Sequence, residues 1–267
     1  MPENAAVTRF TDPEWWDAYW QGLELPAEVK KGDGAVIDAI LEVFDRYAPS
    51  AGEALEIGGS SGRYLVYLNR TRGLKPVVLE SSPVGHAAAE RNFELLGIEG
   101  RSVLADMFDE DVEIEPVDLV YSLGLIEHFD DTEAVARAHL RHLKPGGTLI
   151  MGAPNLGGVN EPLYRRLSPS IYESHDRRSA DPRTWEAYER ALGLEVVHKA
   201  YVGGFEPELF WRLESTRKID WLLAITLRYL GRFLRSPRLR AWRRLNGRRW
   251  SAYAIAVYRK PMARADG

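Results

Sequence analysis

The stretch EALEIGGSSGRYLVYL, residues 53–68, decides how this chain folds. A short apolar segment leads into a turn that contains three glycines, and a helix-forming segment follows. Glycine lets the backbone turn sharply and approach a ligand closely. The N-terminus of the following helix offers free N–H groups to that ligand. We therefore expect a strand, a ligand-binding turn and a helix in this order.

The composition of the 267-residue chain fits one large domain with a full core, because 45% of the residues are hydrophobic. The chain contains no cysteine, which excludes disulfides, thiolate metal sites and a cysteine nucleophile. The first residues do not read as a signal peptide, and no stretch reaches about 18 uninterrupted apolar residues. We therefore expect a cytoplasmic protein in which residues 1–267 form a single domain.

Apolar segments and helical patterns alternate from residue 54 onwards. Strands are predicted at 54–57, 76–79, 102–104, 117–122, 148–153, 195–201 and 252–258. Helices are predicted from about residue 61 and at 83–96, 131–143 and 181–192. Uniformly apolar strands separated by helices are typical of a parallel sheet that is covered on both faces. We predict a doubly wound α/β fold with a mostly parallel, seven-stranded sheet.

The turn after the first strand is the expected ligand site, because open parallel sheets bind ligands beyond the carboxyl ends of their strands. A dinucleotide fingerprint would require a glycine at Ile57, and a P-loop would require G-K-S/T at residues 62–64. Neither condition is met. What remains is an acid followed by spaced glycines, at Glu56, Gly58 and Gly62. A carboxylate there repels phosphates and suits a cationic ligand that carries an amino group and a sulfonium.

Further motifs stand at the ends of the later predicted strands. In chain order they are VVLESS (77–82), VLADMFD (103–109), VDLVYSLGLIEHFDD (117–131) and LKPGGTLIMGAPN (143–155). Together with the first turn they resemble, in family order, the motifs of class I, Rossmann-like S-adenosylmethionine (SAM)-dependent methyltransferases. Five ordered motifs at the expected strand ends are a specific signal, whereas a single G-x-x-x-G would be weak.

The resemblance implies that SAM is the cofactor and assigns residues to it. These residues are Glu56, Gly58, Gly59, Ser60, Gly62, Glu80, Ser81, Asp106, Met107 and Ser122. Glu56 and the first turn would hold the methionine end, with Ser60 standing where the family usually has its middle glycine. Glu80 would bind both ribose hydroxyls, and Asp106 with the backbone of Met107 would hold the adenine.

Glu127 and His128, in GLIEHF, are the catalytic candidates that the resemblance implies. Methyl transfer is an in-line displacement that mainly requires alignment, but an oxygen or nitrogen nucleophile also loses a proton to a base. Histidine is the natural base near neutral pH. The alternative interpretation is a pair that only packs or caps a helix start.

The predicted reaction is O-methylation of a small-molecule, sugar or lipid-linked acceptor. An aromatic-proline motif of the NPPY type, expected of many N-methylating enzymes, is absent after the fourth strand. N-methylation of a small molecule remains an alternative. A non-catalytic SAM-binding protein or a peripheral membrane protein is the alternative from another class.

The sequence predicts no metal. Some similar enzymes hold a divalent ion with a Glu-x-x-Glu-His set, but Gly124 stands at the first glutamate position here. His175, in YESHDRRSADPRTW (172–185), could supply a third ligand. Two adjacent residues plus a distant histidine are too few, so His175 is instead predicted to line the acceptor pocket.

The N-terminal helix, which is predicted to start at Thr11 or Asp12, is rich in aromatic residues. They are Trp15, Trp16, Tyr19 and Trp20. This cluster could be simple core, or the helix could lie over the SAM site as a lid, as in similar enzymes. Trp20 is the second candidate for contact with the acceptor.

Residues 221–249 contain nine arginines and no acid, which leaves a net charge of −13 on the rest of a chain whose total is −4. A leucine stripe predicts a helix here, at Leu223, Leu227, Leu230 and Leu234. Ser236 and Pro237 predict the start of a second, short basic helix. The segment could cap the pocket or pair subunits in a homodimer, lie on an anionic membrane surface, or bind nucleic acid. The leucines argue against nucleic acid.

The predicted organisation has five parts. They are an N-terminal helical cap (1–49), a SAM-binding core (50–155), a substrate-side loop, helix and strand (156–204), a basic helical insertion (205–249) and a last strand (250–259). The acceptor would be enclosed by the cap, the substrate-side loop and the insertion. The composition of these three parts does not identify it.

Overall fold

A seven-stranded sheet forms the centre of the computed structural model, which describes residues 7–206, 213–234 and 245–262. Its strands are β1 (Glu53–Ile57), β2 (Lys75–Glu80), β3 (Arg101–Leu104), β4 (Val117–Leu123), β5 (Leu143–Pro154), β6 (Glu195–Val202) and β7 (Tyr253–Arg259). Their order is β3-β2-β1-β4-β5-β7-β6. The first five strands are parallel, and β7 runs antiparallel to both of its neighbours. The predicted fold class is therefore confirmed.

Helices cover both faces of the sheet. They are α1 (Pro13–Trp20), α2 (Ala35–Tyr47), α3 (Arg63–Arg72), α4 (Pro83–Leu96), α5 (Thr132–Arg141), α6 (Asn160–Leu167), α7 (Pro169–Glu173), α8 (Glu186–Ala191) and α9 (Lys218–Leu234). Buried residues of α2, α3 and α4 form one apolar core with the sheet, and those of α5, α6 and α8 form the other. Within the described residues, no helix is long and apolar enough to cross a membrane.

Several predicted boundaries differ from the structure. The loop predicted after residue 154 contains α6 and α7, because Pro162 and Pro169 lie in first helical turns, where a missing N–H costs nothing. Strand β5 begins at Leu143 rather than at 148, and α8 begins at Glu186 rather than at 181. The helix predicted from Ser236 lies outside the described residues.

The N-terminal strap, residues 7–12, places α1 across the carboxyl ends of the strands. The strap pairs with residues 128–130: the Phe10 N–H donates to the carbonyl of His128 at 2.9 Å, and Arg9 forms a bridge with Phe129. Asp12 then caps α1 by accepting from the Trp15 N–H at 2.7 Å, one of the two predicted caps. The first helix therefore lies over the edge of the sheet where the motifs meet.

Candidate methyltransferase site

The first turn requires glycine at two positions. Gly58 and Gly62 have φ values of +70° and +63°, in the left-handed region that side chains rarely adopt. The Gly58 N–H donates to the carbonyl of Leu79 at 2.8 Å and so ties the turn to β2. Gly62 begins α3, whose N-terminal N–H groups lie behind the turn. This backbone can approach a ligand closely, as the sequence predicts.

Glu56 lies under the turn and does not line the cleft. The Tyr121 hydroxyl donates to its Oε2 at 2.9 Å, and a Cβ on Gly59 would lie only 2.2 Å from its Cγ. Burial raises the pKa of Glu56 to about 8. Glu56 therefore supports the turn from below, and its effect on a bound methionine end would pass through the turn.

Glu80, the expected ribose acid, is buried at the end of β2. Its carboxylate accepts from the N–H of Ser60 at 3.2 Å and from the N–H of Ser82 at 3.0 Å. Trp20 and Glu80 approach the same glycine: a Cβ on Gly85 would be 2.9 Å from Trp20 Cδ1 and 3.0 Å from Glu80 Cδ. Trp20, which the sequence assigned to the acceptor, is therefore placed beside the ribose acid.

Asp106, the expected adenine residue, is occupied by Arg9. Its Oδ1 accepts from the Phe108 N–H at 2.8 Å, and its Oδ2 forms an ion pair with Arg9 at 2.5 Å. The same guanidinium lies over the rings of Phe108 and Phe129. The sequence analysis missed Arg9, since no local spacing relates the N-terminus to the end of β3.

The cleft between these residues is nearly closed. Four of the predicted residues line it, namely Gly58, Ser81, Asp106 and Met107, together with Arg9, Asp12 and Trp16 of the N-terminal segment. Its cavity measures about 40 Å³, close to the volume of one water molecule. Within α1, all of which the structure describes, no residue is fully buried. These features favour the lid interpretation over the core interpretation.

Ser122 lies outside the cleft. It is completely buried, and its hydroxyl is 2.9 Å from Nε2 of His139. The Nδ1 of His139 lies 2.8 Å from the carbonyl of Val135 in α5. The structure therefore gives Ser122 a place in the core between β4 and α5, and the cofactor contact predicted for it is not supported. The sequence predicts that Ser122 lies at the end of a strand, but it does not predict the direction of the Ser122 side chain.

Glu127, His128 and His175 come together at the end of β4. The pair stands on a short 3₁₀ turn, Ile126–His128, after the left-handed Gly124. The segment after α7 folds over this turn, with the Asp176 N–H donating to the carbonyl of Glu127 at 2.6 Å. The rings of His128 and His175 lie 4.4 Å apart, and His175 Nε2 is 3.9 Å from Glu127 Oε1. His175 thus joins the catalytic pair.

Burial makes this group electrically neutral near pH 7. It raises the pKa of Glu127 to about 8 and lowers the pKa of His175 to about 4. Burial, with a smaller contribution from His175, lowers the pKa of His128 well below its usual 6.5. The imidazole of His128 is therefore in its neutral, proton-accepting form at physiological pH.

The buried carboxyls make the free energy of unfolding depend on pH. Glu56 and Glu127 have a raised pKa of about 8 when folded, so each favours folding most at low pH and loses that contribution as the pH rises towards 8. The buried histidines have lowered pKa values, so their contribution to the free energy of unfolding increases as the pH rises. This increase is complete at about pH 6.5. Between pH 6.5 and 8 only the carboxyl effect remains.

Glutamine in place of Glu56 is therefore expected to flatten the pH profile of unfolding between pH 6.5 and 8. The wild-type free energy of unfolding should fall over this window, by at most about 2 kcal/mol for each such carboxyl. Urea unfolding of the SAM-free protein at several pH values measures this. Glu99→Gln, at an exposed position, is the matched control and should leave the slope unchanged. An unchanged slope in Glu56→Gln would mean that Glu56 titrates normally.

The sheet order, the glycine turn and the acids at successive strand ends define a class I, Rossmann-like methyltransferase fold. Residues 29–199 match the model of a family described as a methyltransferase domain. Because this match spans more than half of the chain, the protein belongs to that methyltransferase family. No curated protein sequence matches the chain.

Solved structures agree on the fold. One is a chain from the complex of the Haloferax volcanii Trm112 methyltransferase activator with a methyltransferase, at 18% identity and TM-score 0.57, covering 84% of this chain and 89% of that chain. Another is a SAM-dependent methyltransferase from Thermotoga maritima, at 17% identity and TM-score 0.53, covering 83% and 87%. A third is a geranyl diphosphate methyltransferase in complex with GPP and sinefungin, at 18% identity and TM-score 0.51, covering 82% and 77%. The enzyme is thus a SAM-dependent methyltransferase, and SAM is its cofactor.

Proposed function

We propose that this enzyme methylates a hydroxyl oxygen of its acceptor and that His128 receives the hydroxyl proton. The observation that carries this proposal is the orientation of the imidazole. Its Nδ1 lies 2.9 Å from the carbonyl oxygen of Ser174, which can only accept, so Nδ1 carries the hydrogen. The lone pair of Nε2 is then available, beneath the rings of Trp15 and Trp16.

The proposed step is a single displacement. The acceptor oxygen attacks the methyl carbon opposite the sulfonium sulfur; the C–O bond forms as the C–S bond breaks, and neutral S-adenosylhomocysteine leaves. The hydroxyl proton moves to Nε2 of His128. Because the pKa of His128 is lowered, release of this proton from Nε2 to water is favoured once α1 opens. Glu127 is buried beside His128. Its carboxyl would destabilise a positive charge on His128 less than an apolar side chain in the same place would.

The cofactor would lie along the closed cleft. The turn at Gly58–Gly62 would hold the methionine end, Glu80 the ribose, and Asp106 with Met107 the adenine. Arg9 pairs with Asp106, and Trp20 lies near Glu80 across Gly85. Both would therefore have to move as SAM enters. We assign the acceptor side to residues 156–204 and the insertion 205–249, with the whole chain acting as one domain.

The exposed face of α9 supports a lipid-linked acceptor. The predicted leucine stripe turns largely towards the protein: Leu227 is buried and Leu223 packs against the core. A second apolar stripe, which the sequence analysis did not identify, faces outwards. Its members are Ile219, Leu222, Tyr229 and Phe233, each between 59% and 66% exposed. Apolar side chains on the same helix as the exposed Arg228 and Arg232 suit the surface of an anionic membrane.

Acidic substitutions in the outward stripe are expected to release the enzyme from lipid. Leu222→Glu with Phe233→Glu should lower binding to phosphatidylserine vesicles at least about tenfold, because two apolar side chains that would enter the membrane are lost and negative charge is added. Co-sedimentation measures this. Leu95→Glu removes an exposed apolar residue from α4 and is the matched control. Equal binding of both variants would exclude α9 as the contact.

The acceptor class is tested with methyl-labelled SAM and an extract of the source cells. We expect label in the organic phase, attached through an oxygen that resists amine-specific reagents. Label in the aqueous phase would contradict a lipid-linked acceptor and assign the insertion to a cap or a dimer contact. Label on nitrogen would contradict O-methylation. Gly58→Arg, which should not bind SAM, is the blank.

A further inference from the structure

We propose that Glu127, His128 and His175 form a binding site for a divalent first-row transition metal. One potential ligand atom from each residue lies within 4.8 Å of the other two. The three residues come from two segments, the turn after β4 and the segment after α7, that a backbone hydrogen bond holds together. This metal site lies at the same place as the proposed catalytic residues. Only the role of the metal in the reaction rests on the proposed O-methylation; metal binding itself does not.

Both histidines present the nitrogen that a metal would use. The Nδ1 of His128 donates to the carbonyl of Ser174, and the Nδ1 of His175 donates to the carbonyl of Ile171. The Ser174 hydroxyl, which donates to the same Ile171 carbonyl, also lies 3.0 Å from His175 Nδ1. Metal-bound histidines almost always donate their second N–H to such an oxygen. The Nε2 lone pairs are therefore fixed and available.

The carboxyl of Glu127 gives an independent indication. Glu127 is 1% exposed, and its Oε2 has no hydrogen-bond partner among the described residues. Its one ion-pair contact within the described chain is to His175, at 3.9 Å, beyond hydrogen-bond range. The carboxyl interacts with the backbone N–H of its own residue, but Oε2 has no such partner in the part of the chain that the structure describes, and a buried polar atom left in this state is unfavourable. A cation between Glu127 and the two Nε2 atoms would satisfy all three groups at once.

The donor set selects the kind of metal. Two imidazole nitrogens and one carboxylate oxygen suit Fe²⁺, Co²⁺, Ni²⁺ or Zn²⁺, whereas Mg²⁺ prefers oxygen ligands. Two donors at about 2.1 Å from one ion lie at most about 4.2 Å apart. Small side-chain rotations would therefore bring the three donors to bonding distance. Three protein ligands leave coordination positions open, as in catalytic sites.

The sequence analysis predicted no metal because two adjacent residues plus a distant histidine are too few ligands. The fold brings that histidine to the pair and so places three potential ligands together. A bound cation would occupy the Nε2 lone pair of His128, so this histidine would be the base only in the metal-free enzyme. In the loaded enzyme an acceptor hydroxyl on the cation would be acidified by the positive charge, and its proton would leave to water.

Cobalt binding to chelator-treated protein tests the site without reference to activity. We expect about one Co²⁺ per chain, with visible absorption bands that report nitrogen and oxygen ligands. Glu127→Gln and His175→Gln should each weaken binding more than about tenfold, since even second-shell changes cost that much. His198→Gln, a histidine stacked on Tyr47 in β6, is the matched control. Thermal unfolding and SAM binding verify that each variant folds.

Absence of Co²⁺ binding to the wild-type protein, or binding that Glu127→Gln and His175→Gln leave unchanged, would overturn the proposal. The two hypotheses fail separately. If the cobalt bands appear but label is found on nitrogen, the metal site stands and O-methylation falls. If label is found on oxygen but the wild-type protein does not bind Co²⁺, the metal-site proposal is wrong and His128 remains the proposed base.

Discussion

Arginine in place of Gly58 is expected to abolish SAM binding, with a rise in Kd of at least about 1,000-fold. The position has φ +70°, and a Cβ there would lie 3.0 Å from Cδ1 of Leu125. The strained backbone costs roughly 1–2 kcal/mol, and the side chain would project into a cleft that Gly58 itself lines. A guanidinium would also repel the sulfonium. Isothermal titration with SAM measures the loss.

Gly73→Arg separates this steric block from backbone strain. Gly73 also has a left-handed φ, +69°, but a Cβ there meets nothing within 4 Å, at the far end of α3. This variant should lose about 1–2 kcal/mol of stability and keep its SAM affinity. Wild-type affinity in Gly58→Arg would show that the first turn is not the cofactor site. Equal losses in both variants would point to a global effect.

The sheet and its cofactor edge could be predicted because the evidence for them is local. Each strand is a short apolar run, and each motif residue lies at the end of its own strand. A parallel sheet necessarily brings those ends to one edge. Gly58, Ser81, Asp106 and Met107 accordingly line one cleft. The direction of a single side chain is not local in this sense, which is why the buried position of Ser122 beside His139 could not be predicted.

The cover of the site could not be predicted from local pattern. Arg9 pairs with Asp106 and Trp20 lies near Glu80 because the strap pairs with residues 128–130, at a sequence separation of 122 residues between Thr8 and Asp130. His175 reaches Glu127 through the fold of the segment after α7. The outward stripe of α9 is apolar, like the stripe that faces the protein, so the sequence pattern does not distinguish them. Only the packing of the helix does.

The N-terminal strap contacts both the expected cofactor site and the proposed base. It contacts the adenine residue Asp106 through Arg9, and it bonds the backbone of His128 through Phe10. If adenine binds at Asp106 as proposed, displacement of Arg9 would disturb the segment that is bonded to His128, the proposed base. A cleft of only about 40 Å³ beneath this segment is consistent with a lid that opens for the cofactor and for the acceptor.

Alanine in place of His128 is expected to lower kcat by about 10²–10⁴-fold, the usual contribution of a general base. The affinity for SAM should change little, because His128 does not line the cofactor cleft. Burial lowers the pKa of His128, so the wild-type rate should not decline as the pH falls through 6.5. Single-turnover transfer of labelled methyl, measured from pH 6 to 9, reports the step directly.

His128→Gln is informative beside the alanine variant, because glutamine fills the space but cannot accept the proton at neutral pH. Equal losses in both would indicate that the lone pair of Nε2 is needed, as base or as ligand. The Co²⁺ spectrum then decides between these roles: a base-only histidine leaves it unchanged, whereas a ligand alters it. An unchanged rate in His128→Ala and in Glu127→Ala would show that the catalytic assignment is wrong while the methyltransferase fold stands.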